Sequence, residues 1–129
     1  MKALILAGGK GVELLPLTFH LPKPVVMVGN IPFLFYQLDI LKKAGIKEVI
    51  LSLSYQPRKI TEQLGDGSNF GMVIRYTTEP VPLGTVGAVK NAAHLLDQST
   101  VVLNGDILTA IDLRKVIERH HQKKALLTM

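Results

Sequence analysis

The chain has 129 residues, of which 47% are hydrophobic and 19% charged, a composition that indicates one folded domain or part of one and excludes a disordered segment. It has no cysteine, which excludes disulfides and thiolate metal sites, and its four histidines lack the spacing of a zinc ligand set. Its net charge of +5 suits nucleic acid, a phosphorylated small molecule or a solvated helix face. Because Lys and Arg are scattered, apart from a cluster at 114–124, we expect a small phosphorylated ligand and no nucleic acid.

The first apolar segment, residues 2–6, predicts a strand. It stops at Gly8, Gly9 and Gly11, and a short apolar run bounded by glycines is typical of a strand buried on both faces of a parallel sheet. It is too short for a signal peptide or a membrane span. We therefore expect a cytoplasmic protein without membrane contact.

Helix and strand patterns alternate along the rest of the chain. The first helical pattern stops at Gly45, and glycine is a common signal for the C-terminal end of a helix. Pro57 lies in the first turn of the second predicted helix, and Asp112 is the candidate N-cap of the last one. The predicted order is a helix at 33–44, strands at 47–54 and 72–79 around a helix at 57–65, a helix at 85–96, a strand at 99–106, a helix at 111–123 and the start of a fifth strand at 125–129.

This alternation predicts the fold class. Strands that alternate with helices at this spacing form a parallel sheet with right-handed crossovers. We predict a Rossmann-like three-layer αβα fold with a mainly parallel sheet in the strand order 3-2-1-4, plus the fifth strand. In such sheets ligands bind beyond the carboxyl ends of the strands, so the loops after strands one, three and four should carry the site.

The loop after the first strand, residues 6–18, has three glycines within four residues. Glycines let successive backbone N–H groups turn inward as a nest for a phosphate, with no side chain in the way. The alternative is a tight turn without a ligand. The loop matches neither the Walker A pattern nor G-x-G-x-x-G, so the usual P-loop and dinucleotide hypotheses fail.

Two charged residues in other loops are candidate site residues. Lys23 lies between Pro22 and Pro24, which fix the backbone on both sides. It is either a rigidly presented phosphate clamp or an exposed lysine in a proline-rich loop. Asp106 follows the fourth strand, where a carboxylate is unfavourable unless it is solvated, paired or bound to a metal. It serves as a metal ligand or as a cap for the next segment.

Together these segments resemble the sugar-phosphate nucleotidyltransferases, also called nucleoside-diphosphate-sugar pyrophosphorylases. That family opens with a strand followed by LAGG-x-G-T-R-L-x-PLT, then PKP, then a loop that ends in Asn. The matching residues here are Leu6-Ala7-Gly8-Gly9, Gly11, Leu14, Pro16-Leu17-Thr18, Pro22-Lys23-Pro24 and Asn30, followed by EPVPLGTVGA at 79–88 and LNGD at 103–106. The resemblance covers residues 1–129 as the N-terminal, nucleotide-binding portion of the family's domain. The Glu-Pro…Leu-Gly-Thr form of the second loop is most similar to mannose-1-phosphate guanylyltransferases.

The resemblance implies a reaction. A phosphate oxygen of a sugar 1-phosphate, such as mannose 1-phosphate, attacks the α-phosphorus of a nucleoside triphosphate, such as GTP, and pyrophosphate leaves. This chemistry depends on positioning, cationic charge and Mg²⁺ and needs no protein nucleophile. By resemblance Lys23 holds phosphate and Asp106 binds Mg²⁺, as the catalytic pair. The implied nucleotide-binding residues are Leu6, Ala7, Gly8, Gly9, Gly11, Glu79, Gly84 and Thr85.

Two departures from the family pattern predict that this chain alone is a poor catalyst or none. Family members have Thr or Ser followed by Arg where this chain has Val12 and Glu13. A glutamate opposes the triphosphate that an arginine would attract, unless Glu13 points to solvent. The family's domain also continues beyond a fifth strand, and its later half carries much of the sugar pocket and a second metal-binding aspartate.

Two alternatives from other classes therefore stay open. One is a non-catalytic module that binds a nucleotide or a sugar nucleotide. The other is a scaffold that self-associates and binds nothing specific. We expect a homo-oligomer in either case, because an open sheet edge has unpaired N–H and C=O groups that a second copy would satisfy.

Overall fold

The computed structural model describes all 129 residues, Met1–Met129. None of the four helices combines the length and the apolar character that a membrane span requires. In chain order the elements are β1 (Lys2–Leu6), β2 (Met27–Val28), β3 (Ile31–Pro32), α1 (Phe33–Lys43), β4 (Glu48–Leu53), α2 (Pro57–Leu64), β5 (Val73–Thr78), α3 (Gly84–Ala92), β6 (Thr100–Asn104) and α4 (Leu113–Lys123).

The main sheet has four parallel strands in the order β5-β4-β1-β6. This is the predicted order 3-2-1-4, which is confirmed. β1 is a central strand, since Ala3 is in register with Val49 on one side and with Val101 on the other. A central position explains why β1 is apolar almost throughout instead of alternating with polar residues.

Alternate residues of the strands enter two separate cores, which makes the fold three-layered. On one face of the sheet Leu4 packs with Ala92 of α3. On the other face the core combines Ala3 and Ile5 with α1, α2 and α4, whose contributions include Leu38, Ile60 and Leu113. The predicted three-layer arrangement is confirmed, and it leaves the carboxyl end of β1 free to open into a loop.

The structure has no fifth strand at 125–129, so that prediction is wrong. α4 is closed by Lys124, which has a left-handed φ of 46°, and the N–H groups of Lys124 and Ala125 donate to carbonyls of the last helical turn. Beyond this cap the Thr128 hydroxyl lies 2.9 Å from Nδ1 of His120. The segment is thus tied back to α4 and forms no strand ladder with β6.

Two smaller differences concern a loop and one helix end. An antiparallel hairpin of β2 and β3, which the sequence did not predict, turns through Gly29 and Asn30, both with positive φ. The last helix begins at Leu113 and not at residue 111. Its predicted N-cap is confirmed, because Oδ1 of Asp112 accepts the N–H of Arg114 at 3.1 Å.

A buried lysine at the amino end of the sheet is held by two carboxylates. The Lys2 ammonium lies 2.8 Å from Asp97 and 3.3 Å from Glu48, and it donates to the carbonyl of Leu95 at 3.1 Å. The hydrogen bond that Lys2 donates to Asp97, and then the one to Glu48, raises the pKa of Lys2. In return Lys2 holds the pKa of Asp97 below its ordinary value of 3.8. The pair therefore stabilises the fold only while Asp97 is ionised.

We expect Asp97→Asn to lower the free energy of unfolding at pH 7 and to lose this effect in acid. Because the folded pKa of Asp97 is depressed, the contribution is complete above its unfolded pKa and disappears as the pH falls through the folded value, below about pH 4. Urea unfolding at pH 7 and in steps down to about pH 3 measures the difference. Asp39→Asn, in an exposed pair with Lys43, is the control and should change little. A difference for Asp97→Asn that does not vary with pH would contradict this account.

Candidate functional site

A cavity of about 580 Å³ opens at the carboxyl end of the main sheet. Its walls are the loops that follow β1, β5 and β6 and the first turn of α3, as expected for a sheet whose strand order reverses beside β1. All ten residues predicted from the sequence line this one cavity: Leu6, Ala7, Gly8, Gly9, Gly11, Lys23, Glu79, Gly84, Thr85 and Asp106.

Gly105 brings the loop after β6 against the loop after β1. Its N–H donates to the carbonyl of Leu6 at 2.8 Å. A Cβ at this position would lie 2.7 Å from that oxygen and 3.0 Å from the Cα of Ala7, so only glycine permits the approach. As a result Asp106, the next residue, faces the same space as the glycine loop.

The glycine loop also determines where Lys23 lies. Gly11 has a φ of 66°, and a Cβ there would lie 2.9 Å from side-chain atoms of both Lys23 and Thr18. The Thr18 hydroxyl donates to the carbonyl of Gly11 at 2.6 Å. Gly11 is therefore needed both for its backbone conformation and for the room that it leaves to Lys23.

Lys23 bridges two carboxylates inside the cavity. Its ammonium lies 2.9 Å from Oδ2 of Asp106 and also donates to Oε1 of Glu13. The hydrogen bonds that Lys23 donates to Glu13 and then to Asp106 raise the pKa of Lys23, and the one to Glu13 lowers the pKa of Glu13. Both groups are charged at neutral pH. Glu13 thus neither stands free against a phosphate nor points away to solvent, the two possibilities considered from the sequence.

The charges that line the cavity do not favour an anion. Two lysines, Lys10 and Lys23, face three carboxylates, those of Glu13, Glu79 and Asp106. The positive charge of the whole chain is therefore not concentrated here. A triphosphate in this cavity needs additional cationic charge.

Glu79 is a buried carboxylate on the opposite wall. It is 5% exposed, its Oε1 accepts the hydroxyl of Ser52 at 2.7 Å, and its Oε2 accepts the N–H of Leu83 at 2.9 Å. A Cβ at Gly8 would lie 3.8 Å from Oε1, so Glu79 stands directly beside the glycine loop. Ser52 was not among the predicted site residues. Its signal in the sequence is a lone hydroxyl within the apolar run of β4, where it is fully buried.

The residues of the cavity fit Mg²⁺ only as a partner of a phosphorylated ligand. Mg²⁺ at nucleotide sites is held by one or two carboxylates, with substrate phosphates and water as its other ligands. Asp106 is one such carboxylate, whereas no group of three or more His, Asp or Glu residues in the chain is arranged to hold a metal ion. A cage made by the protein alone is therefore absent.

Comparison with known proteins identifies the family. The family model described as "Nucleotidyl transferase" matches residues 2–129. The chain belongs to this nucleotidyl transferase family. The predicted family is confirmed.

Several relatives share this architecture. The chain is 42% identical over 128 residues to the mannose-1-phosphate guanylyltransferase of Mycobacterium tuberculosis (strain ATCC 25618 / H37Rv), covering 98% of this chain and 36% of that protein. It is 43% identical over 130 residues to the D-glycero-alpha-D-manno-heptose 1-phosphate guanylyltransferase of Aneurinibacillus thermoaerophilus, covering 100% of this chain and 56% of the relative. The crystal structure of HddC from Yersinia pseudotuberculosis complexed with GMP-PN superposes with a TM-score of 0.82 at 35% identity, covering 92% of this chain and 53% of that one. The chain thus spans between about a third and a little over half of the length of these proteins.

Proposed function

We propose that this chain forms the nucleotide-binding portion of an enzyme that transfers a guanylyl group from GTP to a sugar 1-phosphate, with mannose 1-phosphate as the first candidate, and releases pyrophosphate. The observation that carries this proposal is the single cavity that unites the glycine loop, Lys23, Glu79 and Asp106. Two relatives named as guanylyltransferases and a neighbouring structure complexed with GMP-PN support a guanine nucleotide.

The chemistry of Glu79 favours guanine over uracil and thymine. Guanine presents N1–H and the 2-amino group as neighbouring donors, and a carboxylate is an acceptor at both oxygens. Ser52 and Leu83 each occupy one acceptor position of Glu79, which leaves one further lone pair on each oxygen. Uracil and thymine present a single N–H between two carbonyls, so they would place acceptors against the same carboxylate.

The phosphate side of the cavity supplies positioning and charge. Gly8, Gly9 and Gly11 line the cavity and have no side chains of their own between their backbone N–H groups and a phosphate, and the Lys23 ammonium has a third N–H beyond those given to Glu13 and Asp106. Asp106 would hold Mg²⁺ together with the nucleotide phosphates. When bound, Mg²⁺ would offset the excess of carboxylates in the cavity and the charge of the departing pyrophosphate.

The direct test of this proposal is a pair of measurements on the 129-residue chain. Calorimetric titration with GTP and Mg²⁺ tests binding, and pyrophosphate release in the presence of mannose 1-phosphate tests transfer. We expect GTP to bind and turnover by this chain alone to be undetectable, because Glu13 competes with phosphate for Lys23. Absence of GTP binding would overturn the proposed function. Turnover near 1 per second, within the usual range of enzymes, would overturn the expected inactivity.

The contact between Glu13 and Lys23 favours a second candidate, a non-catalytic module that binds a nucleotide or a sugar nucleotide. A sugar nucleotide has fewer phosphate charges than a triphosphate and is less opposed by Glu13. Binding of GDP-mannose more tightly than GTP, without pyrophosphate release, would support this candidate.

Self-association is a separate proposal, supported by β6, which pairs only with β1 and leaves its other edge open. Sedimentation near 14.1 kDa would exclude it.

Glu79→Gln should weaken GTP binding by roughly 10- to 100-fold, the value of a hydrogen bond to a charged acceptor. Gln offers one acceptor and one donor where guanine needs two acceptors, so the preference for GTP over UTP and dTTP should shrink as well. Titration calorimetry with the three nucleotides measures both effects. Glu62→Gln, an exposed residue of α2 outside the cavity, is the matched control. Equal GTP affinities of Glu79→Gln and the unaltered chain would show that Glu79 does not contact the base.

A further inference from the structure

Gln37 of α1 makes two hydrogen bonds to the turn that carries Asp106. Its side chain is buried, with 1% exposed, and its Nε2 donates to the carbonyls of Asn104 and Ile107, each at 2.7 Å. These two carbonyls flank Asp106 on either side in the chain. Both N–H bonds of one amide group therefore hold the ends of the same short turn.

The orientation of this amide is fixed by its surroundings. The Oε1 atom of Gln37 is buried and has no hydrogen-bond partner. With the amide reversed, this oxygen would face two carbonyl oxygens, which repel it, while the NH₂ group would lose both acceptors. The two N–H donors of Gln37 therefore hold the turn, and an apolar side chain of the same shape could not replace them.

The turn is held from two sides, and Asp106 lies between them. On the sheet side the N–H of Gly105 donates to Leu6 at 2.8 Å, and on the helix side Gln37 supplies its two donors. At this position the Asp106 carboxylate reaches Lys23 at 2.9 Å. Gln37 itself does not line the cavity, so any effect on a ligand passes through Asp106.

We propose that Gln37 is a positioning residue: its buried amide fixes the Asn104–Ile107 turn and thereby places the Asp106 carboxylate where it meets Lys23, the nucleotide phosphates and their metal. The part of this inference that concerns phosphates and metal rests on the proposed function. The part that concerns the place of Asp106 does not, and it is measurable without any ligand.

The ligand-free experiment compares Gln37→Met, which keeps the shape and removes both donors, with Leu41→Ala, which weakens the same helix at a fully buried core position. Amide hydrogen exchange is followed at Gly105, Asp106 and Ile107 and at β1, together with the carboxyl ¹³C resonance of Asp106. In Gln37→Met the turn amides should exchange at least about 10-fold faster relative to β1, and the Asp106 resonance should move. In Leu41→Ala the ratio and the resonance should stay unchanged. Equal behaviour of the two variants would overturn the proposal.

The ligand experiment titrates GTP with and without Mg²⁺. Gln37→Met should reduce the gain in affinity that Mg²⁺ provides by roughly 10-fold, whereas Leu41→Ala should leave that gain unaltered. A loosened turn with an undiminished Mg²⁺ gain would overturn the positioning role toward the ligand and leave the proposed function intact. If the unaltered chain binds no GTP, the proposed function fails, and the exchange ratio and the Asp106 resonance still decide the role of Gln37.

A measurement on the unaltered chain covers the case in which Gln37→Met does not fold. Both protons of the Gln37 side-chain amide should be protected from exchange with solvent, because both are buried and hydrogen-bonded. Rapid exchange of either proton would overturn the proposal.

Discussion

Replacing Glu13 by arginine should raise the affinity for GTP in the presence of Mg²⁺ by roughly 100-fold, and Glu13→Gln should raise it by roughly 10-fold. Glu13 occupies one N–H of Lys23 and places a negative charge at the phosphate side of the cavity. Glutamine removes the charge and frees Lys23 for phosphate. Arginine in addition brings a planar group that donates two hydrogen bonds to phosphate oxygens.

Titration calorimetry at low and high salt measures this gain. The gain should shrink as salt rises, because Glu13 is about half exposed and its field is screened. Glu62→Arg on the exposed face of α2 makes the same change in net charge outside the cavity and is the control. Equal effects at positions 13 and 62 would mean that net charge alone matters and that the contact with Lys23 does not limit binding.

Replacing Gly105 by alanine should destabilise the fold by about 2–3 kcal/mol, the usual cost of forcing atoms into a packed region. The new Cβ would lie 2.7 Å from the Leu6 carbonyl oxygen and 3.0 Å from the Cα of Ala7. Both are backbone atoms of the central strand and its loop, which cannot move aside as a flexible side chain would. The hydrogen bond from Gly105 to Leu6 should weaken at the same time.

Thermal and urea unfolding measure the loss, and the melting temperature should fall by about 10 °C. Gly9→Ala is the matched control, because a Cβ at Gly9 meets nothing within 4 Å and its backbone φ is ordinary. It should change stability by no more than about 0.5 kcal/mol. Comparable losses in the two variants would show that the close approach at Gly105 does not limit the fold.

The sequence predicts the main sheet well because its signals are strong and local. β1, β4 and β6 are apolar runs that end at glycine or polar residues, and the rule for the carboxyl end of a parallel sheet then groups their loops. The hairpin of β2 and β3 escapes prediction because each strand has only two residues and shows no periodicity. The apolar segment 125–129 predicts a fifth strand that does not form. α4 ends instead in a left-handed turn at Lys124, and this turn was not predictable because lysine rarely adopts that conformation.

The sequence predicts which residues line the cavity better than it predicts which of their side chains contact one another. Lys23 contacts Glu13 because three short 3-10 helices shorten the segment between β1 and β2, and no sequence pattern predicts these helices. Ser52 meets Glu79 because β5 ends beside β4 in a particular register, which the sequence does not define. Gln37 reaches the Asn104–Ile107 turn across 67 and 70 residues of chain. Each of these depends on tertiary packing and not on local propensity.

The close approach of Gly105 to Leu6 has a consequence for how such chains change under mutation. One glycine serves both the joining of β6 to β1 and the shape of the cavity, so selection for folding alone preserves that shape, even where catalysis is no longer selected. Val12 and Glu13 belong to no core and are about half exposed or more, so substitutions there should cost the fold little. Mutations in the exposed part of the glycine loop should therefore cost the fold less than mutations in the cavity wall at Gly105.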